Sequence, residues 1–127
     1  MSVQLNHTIV WSSDPAKSAC FLAEILALPA PRRFAHFHVV EVDNGVSLDF
    51  AQAPAPIQSQ HYAFLITETE FDGVLDRIRA QGLPYWADPA RQRPGAINHG
   101  DGGRGVYFHD PDDHFLEVLT RPYGSGG

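Results

Sequence analysis

Apolar and polar residues alternate through "LNHTIVWSSD" near the start of the chain and again through "SQHYAFLITE" near its middle. Alternation with a period of two predicts strands. His7, Ile9 and Trp11 share one face of the first strand, and His61, Ala63 and Leu65 share one face of the second. Each strand leads into a stretch with helical spacing. In the first, Asp14 is the expected N-cap with Pro15 at the first helical position, and Phe21, Leu22, Ile25 and Leu26 form the apolar stripe. In the second, Thr69 is the expected N-cap, Phe71, Val74, Leu75 and Ile78 form the stripe, and Gly82 suits the stop. The helices end alike, in "ALP" at 27–29 and "GLP" at 82–84.

Strand patterns then return in both halves. The first half continues with "RRFAHFHVVEV" and "VSLDFAQ", separated by the turn pair Asn44–Gly45. The second continues with "LPYWA", a long polar stretch, "GRGVYFHD" and "HFLEVLT". "SLDFA" places Asp49 where "FLEVL" places Glu117, so each half predicts a histidine on its first strand and a carboxylate on its last. The expected organisation is one domain over residues 1–127, with module 1 at about 3–53 and module 2 at about 60–122. "APAPIQSQ", residues 53–60, reads as the linker, and "YGSGG" at the end reads as frayed.

Composition narrows the function classes. The chain has 127 residues, 43% of them hydrophobic, and a formal net charge of −6 with no basic cluster larger than a pair of arginines. An anionic partner, whether nucleic acid or membrane surface, is not expected. The single cysteine, Cys20, excludes an intramolecular disulfide framework and a thiolate zinc site, and its place beside Phe21 suggests an inert core thiol. With no apolar run of spanning length and no signal-like opening, a soluble cytoplasmic protein is expected.

The segment "FHDPDDHFLEVL" concentrates acidic and imidazole groups. A calcium loop of the EF-hand type needs glycine where Phe115 stands, so that reading fails. "DPDD" instead predicts a turn, with Asp110 bonding the backbone, Pro111 setting the second position and Asp113 in a left-handed conformation. His109 and His114, flanking it, are expected to face solvent, and His36 and His38 are expected to form a surface pair.

At this point the chain resembles the vicinal-oxygen-chelate superfamily, the glyoxalase/bleomycin-resistance/dioxygenase group. "GVYFHDPDDHFLEVL" looks like that family's closing hairpin, supported by "NHTIV" and "QHYAFLI". The resemblance implies an α+β fold in which two βαβββ modules pair curved mixed sheets around a metal-binding cleft. It implies His7, His61 and Glu117 as ligands of a divalent ion (Fe, Mn, Ni, Co or Zn), with Asp49 as a fourth ligand or as a partner orienting an imidazole. Two imidazoles and a carboxylate with open positions are indeed the ligand set of non-haem divalent sites.

The expected activity is that of a metal-dependent enzyme on a small oxygen-rich substrate, dioxygenase-like ahead of glyoxalase-like lyase or isomerase. Glu117, Tyr107 or His99 would then handle a proton, with His99 on a Gly-rich loop that is either a mobile cover or solvated. The alternative is a metal-free, bleomycin-resistance-like antibiotic-binding protein. A fosfomycin-type thiol transferase is less expected, because Ile9 stands where that group has a hydroxyl residue and "ADPARQRPG" lacks its phosphonate-holding lysine. Glyoxalase I itself is argued against by Asp49 in place of glutamate. The resemblance further implies a homodimer, with the cleft built either within one chain or across two.

Overall fold

Residues 7–12 alternate and carry the β-branched Thr8, Ile9 and Val10, and they form the strand β1 (His7–Ser12). Helix α1 (Pro15–Ile25) follows, with the Asp14 side chain accepting from the backbone N–H of Lys17 and proline in the first turn as expected. Its buried stripe is Ser18, Ala19, Leu22, Ala23 and Ile25, which keeps Leu22 and Ile25 of the expected stripe, while Phe21 is half-buried and the half-buried Leu26 serves as C-cap. Cys20 is exposed, so the expectation of a core thiol is corrected: it falls on the outer side of the helix. "RRFAHFHVVEV" is not one strand but a hairpin of β2 (Arg32–Phe34) and β3 (Phe37–Glu41), turned at Ala35 with φ 53°. That puts His36 in the turn. β4 (Ser47–Gln52) closes the first module, whose sheet runs in the order β1-β4-β3-β2.

The second module repeats the plan: β5 (His61–Leu65), α2 (Glu68–Ala80), β6 (Tyr85–Trp86), β7 (Gly105–His109) and β8 (Phe115–Leu119), in the sheet order β5-β8-β7-β6. The computed structural model describes residues 2–126; Met1 and Gly127, at the ends of the expected single domain, lie outside the described residues. Its contacts divide the chain into two units, one running to Gln58 and the other starting at Ser59. The fold is thus two βαβββ modules with mixed sheets. In each, the first strand pairs in parallel with the last, and the remaining pairs are antiparallel.

Helix α2 is capped by Thr67, not Thr69. The Thr67 hydroxyl accepts from the N–H of Glu70 while the Glu70 carboxylate accepts from the N–H of Thr67, a reciprocal box that the more distal threonine cannot make. Phe71, Val74, Leu75 and Ile78 are buried as expected, and Gly82 takes φ 66° just past the helix end. On the sheet, Val106, Phe108, Leu116 and Val118 are all at most 3% exposed. Arg104 ties the start of β7 to α2 through Glu68 and Asp72 at 2.7 and 2.8 Å, with its guanidinium over the Phe71 ring. These bonds, led by one from Thr120 and then those from Arg104, hold the Glu68 carboxyl below its ordinary range.

The excursion between β6 and β7 is long but fastened at its middle. Asn98 exchanges backbone hydrogen bonds with Gly105 at 2.9 and 3.0 Å, and its side-chain amide donates to the Ala87 carbonyl at 2.7 Å. A Cβ on Gly105 would lie 2.9 Å from that amide, so glycine is required for the loop to sit there. Among the described residues, no helix is long and apolar enough to cross a membrane.

Candidate functional site

Strand register decides which side chains share the sheet face that α2 leaves free. His61 pairs with Phe115, Ala63 with Glu117, Tyr107 with Glu117, His109 with Phe115, and Trp86 with Tyr107. Directly paired residues point to the same side, so His61, Trp86, Tyr107, His109, Phe115 and Glu117 stand together. Their rings form a continuous row. Tyr107 stacks on Phe115 at 5.3 Å with 18° between planes, His109 lies 4.9 Å from Phe115, and Trp86 meets His109 edge-on at 5.4 Å. At one end the Arg91 guanidinium lies 5.6 Å over the Phe115 ring and reaches His109 Nε2 at 3.3 Å. Burial, then this guanidinium, holds the His109 imidazole below its ordinary pKa, although the Asp113 and Asp110 charges oppose them.

The other end of the row is polar and tightly bonded. Glu117 is 2% exposed, and a buried carboxylate is costly unless donors surround it. Tyr123, on the segment after β8, places its hydroxyl 2.6 Å from both carboxylate oxygens. The residue as a whole is 71% exposed, yet its hydroxyl reaches the buried carboxylate. The Tyr107 hydroxyl lies 3.4 Å from that of Tyr123. Desolvation first, then the bonds to Glu117 and Tyr107, push the Tyr123 phenol far above its ordinary value; Tyr107 is raised chiefly by desolvation. His61 reaches Glu117 through Nε2 at 3.2 Å and the Phe115 carbonyl through Nδ1 at 2.9 Å.

Module 1 places its two candidates differently. His7 is exposed and its Nδ1 pairs with the side chain of its neighbour Asn6 at 2.8 Å. Asp49 accepts from the Ser47 hydroxyl at 2.8 Å, two positions back on the same strand. The residues around them on this face are apolar: Ile9 and Trp11 are 40% and 43% exposed, and Val39 lies opposite Asp49.

The resemblance-based ligand set is therefore corrected. Within this chain, no group of three or more His, Cys, Asp or Glu among the described residues comes together to hold a metal ion. His61 and Glu117 meet, but as a pair that already bonds to itself, to Tyr123 and to the Phe115 carbonyl. His7 and Asp49 each satisfy a neighbour in their own strand region. The residues present in the chain thus do not fit the divalent ion (Fe, Mn, Ni, Co or Zn) implied as a cofactor. The expected metal-dependent dioxygenase-like or lyase-like enzyme loses its structural basis in this chain with it.

Other assignments fall into place residue by residue. Asp110 accepts from the N–H groups of Asp112 and His114, and Asp113 takes φ 65°, as the turn pattern predicted. Burial raises the Asp110 carboxyl above its ordinary value despite those bonds. His114 is not exposed but 1% exposed: its Nδ1 accepts from the backbone N–H of Gln60, and it packs edge-on against Tyr62. His109 is half-buried within the ring row. His99 precedes a short 3-10 turn, Gly100–Gly102, and is exposed. Residues 123–126 are not frayed: the N–H groups of Gly124 and Gly126 donate to the Asp101 carboxylate at 3.1 and 3.2 Å. Tyr123 and Arg91 were missed in the sequence. The one available signal for Tyr123 was a lone aromatic residue in a run of Gly and Ser.

Comparison with known proteins places this geometry. A family model described as the Glyoxalase/Bleomycin resistance protein/Dioxygenase superfamily matches residues 4–118. Among solved structures, "Oxidase ChaP-H1" is 59% identical, covering 97% of this chain and 99% of that one with a TM-score of 0.96. "Oxidase ChaP-H2" is 58% identical, covering 100% of both chains with a TM-score of 0.97. Among curated proteins, "Glutathione transferase FosA" of Serratia marcescens is 30% identical over 124 residues, 93% of this chain and 81% of that one.

Proposed function

The chain belongs to the Glyoxalase/Bleomycin resistance protein/Dioxygenase superfamily, and from that premise we propose that it binds a small organic molecule against the ring-lined face of its second module. The observation that carries this reading is Glu117, a carboxylate 2% exposed at the end of an aromatic row. Flat rings suit the apolar body of a small ligand, and one or two convergent polar groups suit its orientation. In this reading Trp86, His109, Phe115 and Tyr107 take the ring portion, while Glu117 and His61 take a polar substituent. His99 has no part in it. The role matches the binding-protein alternative, which needs no three-residue metal set.

Titration of the protein with a panel of aromatic and antibiotic small molecules, followed by Trp fluorescence and NMR, is the test. Binding should weaken at least about tenfold in both Trp86→Ala and His61→Ala, the scale of one lost ring or charged contact. Affinity that neither substitution touches would overturn the assignment of the face.

A second reading is favoured by one observation, the 58–59% identity to two proteins named oxidases across nearly the whole chain. Under it, the bound molecule gives up electrons to dioxygen, which is consumed and reduced as the molecule is oxidised. Dioxygen uptake should then accompany those panel members that bind, and a set of binders that all leave dioxygen untouched counts against it.

The proposal includes a homodimer, supported by the open apolar side chains Ile9, Trp11 and Leu65 on the two opening strands. Sedimentation should give twice 14.0 kDa; a 14.0 kDa species at micromolar concentration would exclude it. It also includes a cytoplasmic location, supported by a lone exposed thiol that takes part in no disulfide. Cell fractionation tests this.

A further inference from the structure

We propose that residues 121–126 form a latch, in which the Tyr123 hydroxyl holds the position on Glu117 that a ligand hydroxyl takes when it binds. The proposal rests on the binding reading above and deepens it, because it names the ligand group: a hydroxyl able to donate. Glu117 is buried and needs a donor at all times. In the free chain that donor is Tyr123, at 2.6 Å from both oxygens, with Tyr107 behind it at 3.4 Å. When the phenol leaves, a ligand hydroxyl can take its place on the carboxylate, beside the His61 Nε2 that already reaches it at 3.2 Å.

The way the segment is held fits a latch more than a fixed wall. Tyr123 as a residue is 71% exposed, so little apolar packing keeps the segment closed. What does hold it is a short list of hydrogen bonds. Gly124 and Gly126 donate to Asp101 and the Tyr123 hydroxyl donates to Glu117, whereas the bonds from Arg121 to the Ser125 carbonyl at 3.2 Å and from the Ser125 hydroxyl to the Pro122 carbonyl at 2.6 Å lie within the segment and only shape it. Exposed bonds with so little apolar packing behind them place the segment in the part of the molecule that opens first. Asp101 is preset as its catch: it takes φ 55°, and its backbone lies against Gly126 so closely that no side chain fits there.

The probe is 4-methylphenol, the Tyr side chain itself. In the full chain without probe, the amides of Gly124 and Gly126 should exchange with solvent at least about tenfold slower than in an unstructured peptide. Saturating 4-methylphenol should remove that protection. Tyr123→Phe, which loses the competing hydroxyl, should bind 4-methylphenol about tenfold more tightly than the unaltered chain. Asp101→Asn tolerates the left-handed backbone and removes one acceptor oxygen, and should fall between the two.

Unprotected amides in the free chain would overturn the latch. So would 4-methylphenol binding that leaves their exchange unchanged, or equal affinity in the unaltered and Tyr123→Phe chains. If no chain takes up 4-methylphenol, the hydroxyl assignment fails by itself. The wider binding reading is decided separately, by the panel titration at Trp86.

Discussion

The two modules carry the same backbone frame and the same pair of groups, yet only one pair makes contact. In both, the histidine opens the first strand and the carboxylate lies two register positions further along the parallel neighbour. In module 2 the acid is Glu117, whose extra methylene reaches His61 and the Tyr123 hydroxyl. In module 1 it is Asp49, which is one methylene shorter and bonds to Ser47 in its own strand. The surroundings differ as sharply: an aromatic row ending in Arg91 on one face, and Ile9, Trp11 and Val39 on the other. A repeated frame therefore predicts where a side chain starts, and side-chain length and neighbours decide what it touches.

The largest expected effect tests whether the frames are equivalent. Phe50 and Phe108 are both at most 2% exposed in their sheets, and truncation of either to alanine should cost about 3–5 kcal/mol in denaturant unfolding. A loss in one module much below that range would show that its core is held differently. The next effect separates the two acids. Glu117→Gln gives up the charge that Tyr123 and His61 address and should cost about 1–2 kcal/mol, whereas Asp49→Asn should stay within about 0.5 kcal/mol. Equal thermal shifts for the two would erase the distinction drawn here.

Helix entry sharpens the comparison at a smaller scale. Thr67→Ala breaks a reciprocal box and should cost about 1–2 kcal/mol, while Asp14→Ala removes a single exposed bond and should cost about 0.5–1 kcal/mol. Thr69→Ala, scored in the same melts, should be neutral. The smallest effect concerns Asp110, which has no counterpart in module 1. Its folded pKa lies above the ordinary 3.8, so the folded state binds this proton more tightly than the unfolded chain. The associated loss of stability is complete above the folded value and is relieved as pH falls through it toward 3.8. Asp110→Asn should flatten that part of the stability profile, and an unchanged slope would show that the carboxyl ionises freely.

Much of this frame was legible because it rests on local chemistry. The rhyme of His7 with His61 and of Asp49 with Glu117, the Asp14–Pro15 entry, the α2 stripe and the "DPDD" turn are all set by residues close in the chain. The errors came where a distant partner decides. Thr67 and Thr69 are equally good caps by type, and only the reach of Glu70 selects the first. His114 looked like a turn residue until Gln60 and Tyr62, half the chain away, closed over it. Tyr123 sits among small flexible residues, and nothing near it announces a bond to Glu117. The metal expectation failed for the same kind of reason. Ligand identity can be read from a repeat, but ligand convergence depends on which side chains meet.

The bond between Asn98 and Gly105 has a consequence for how this protein can change. It divides the excursion after Trp86 into two short closed loops, residues 88–97 and 99–104, in place of a single long one. Closing short loops costs little entropy, and lengthening either adds only slowly to that cost. Insertions on one side of Asn98 need not disturb the other side or the ring row beneath. Within the first loop, the part from 88 to 92 that carries Arg91 is closed off by the bond from the Ala87 N–H to the Arg93 carbonyl and by the bridge of Trp86 with Pro94, so changes there leave the sheet as it is. Changes of sequence there leave the pairing of β6 with β7 intact.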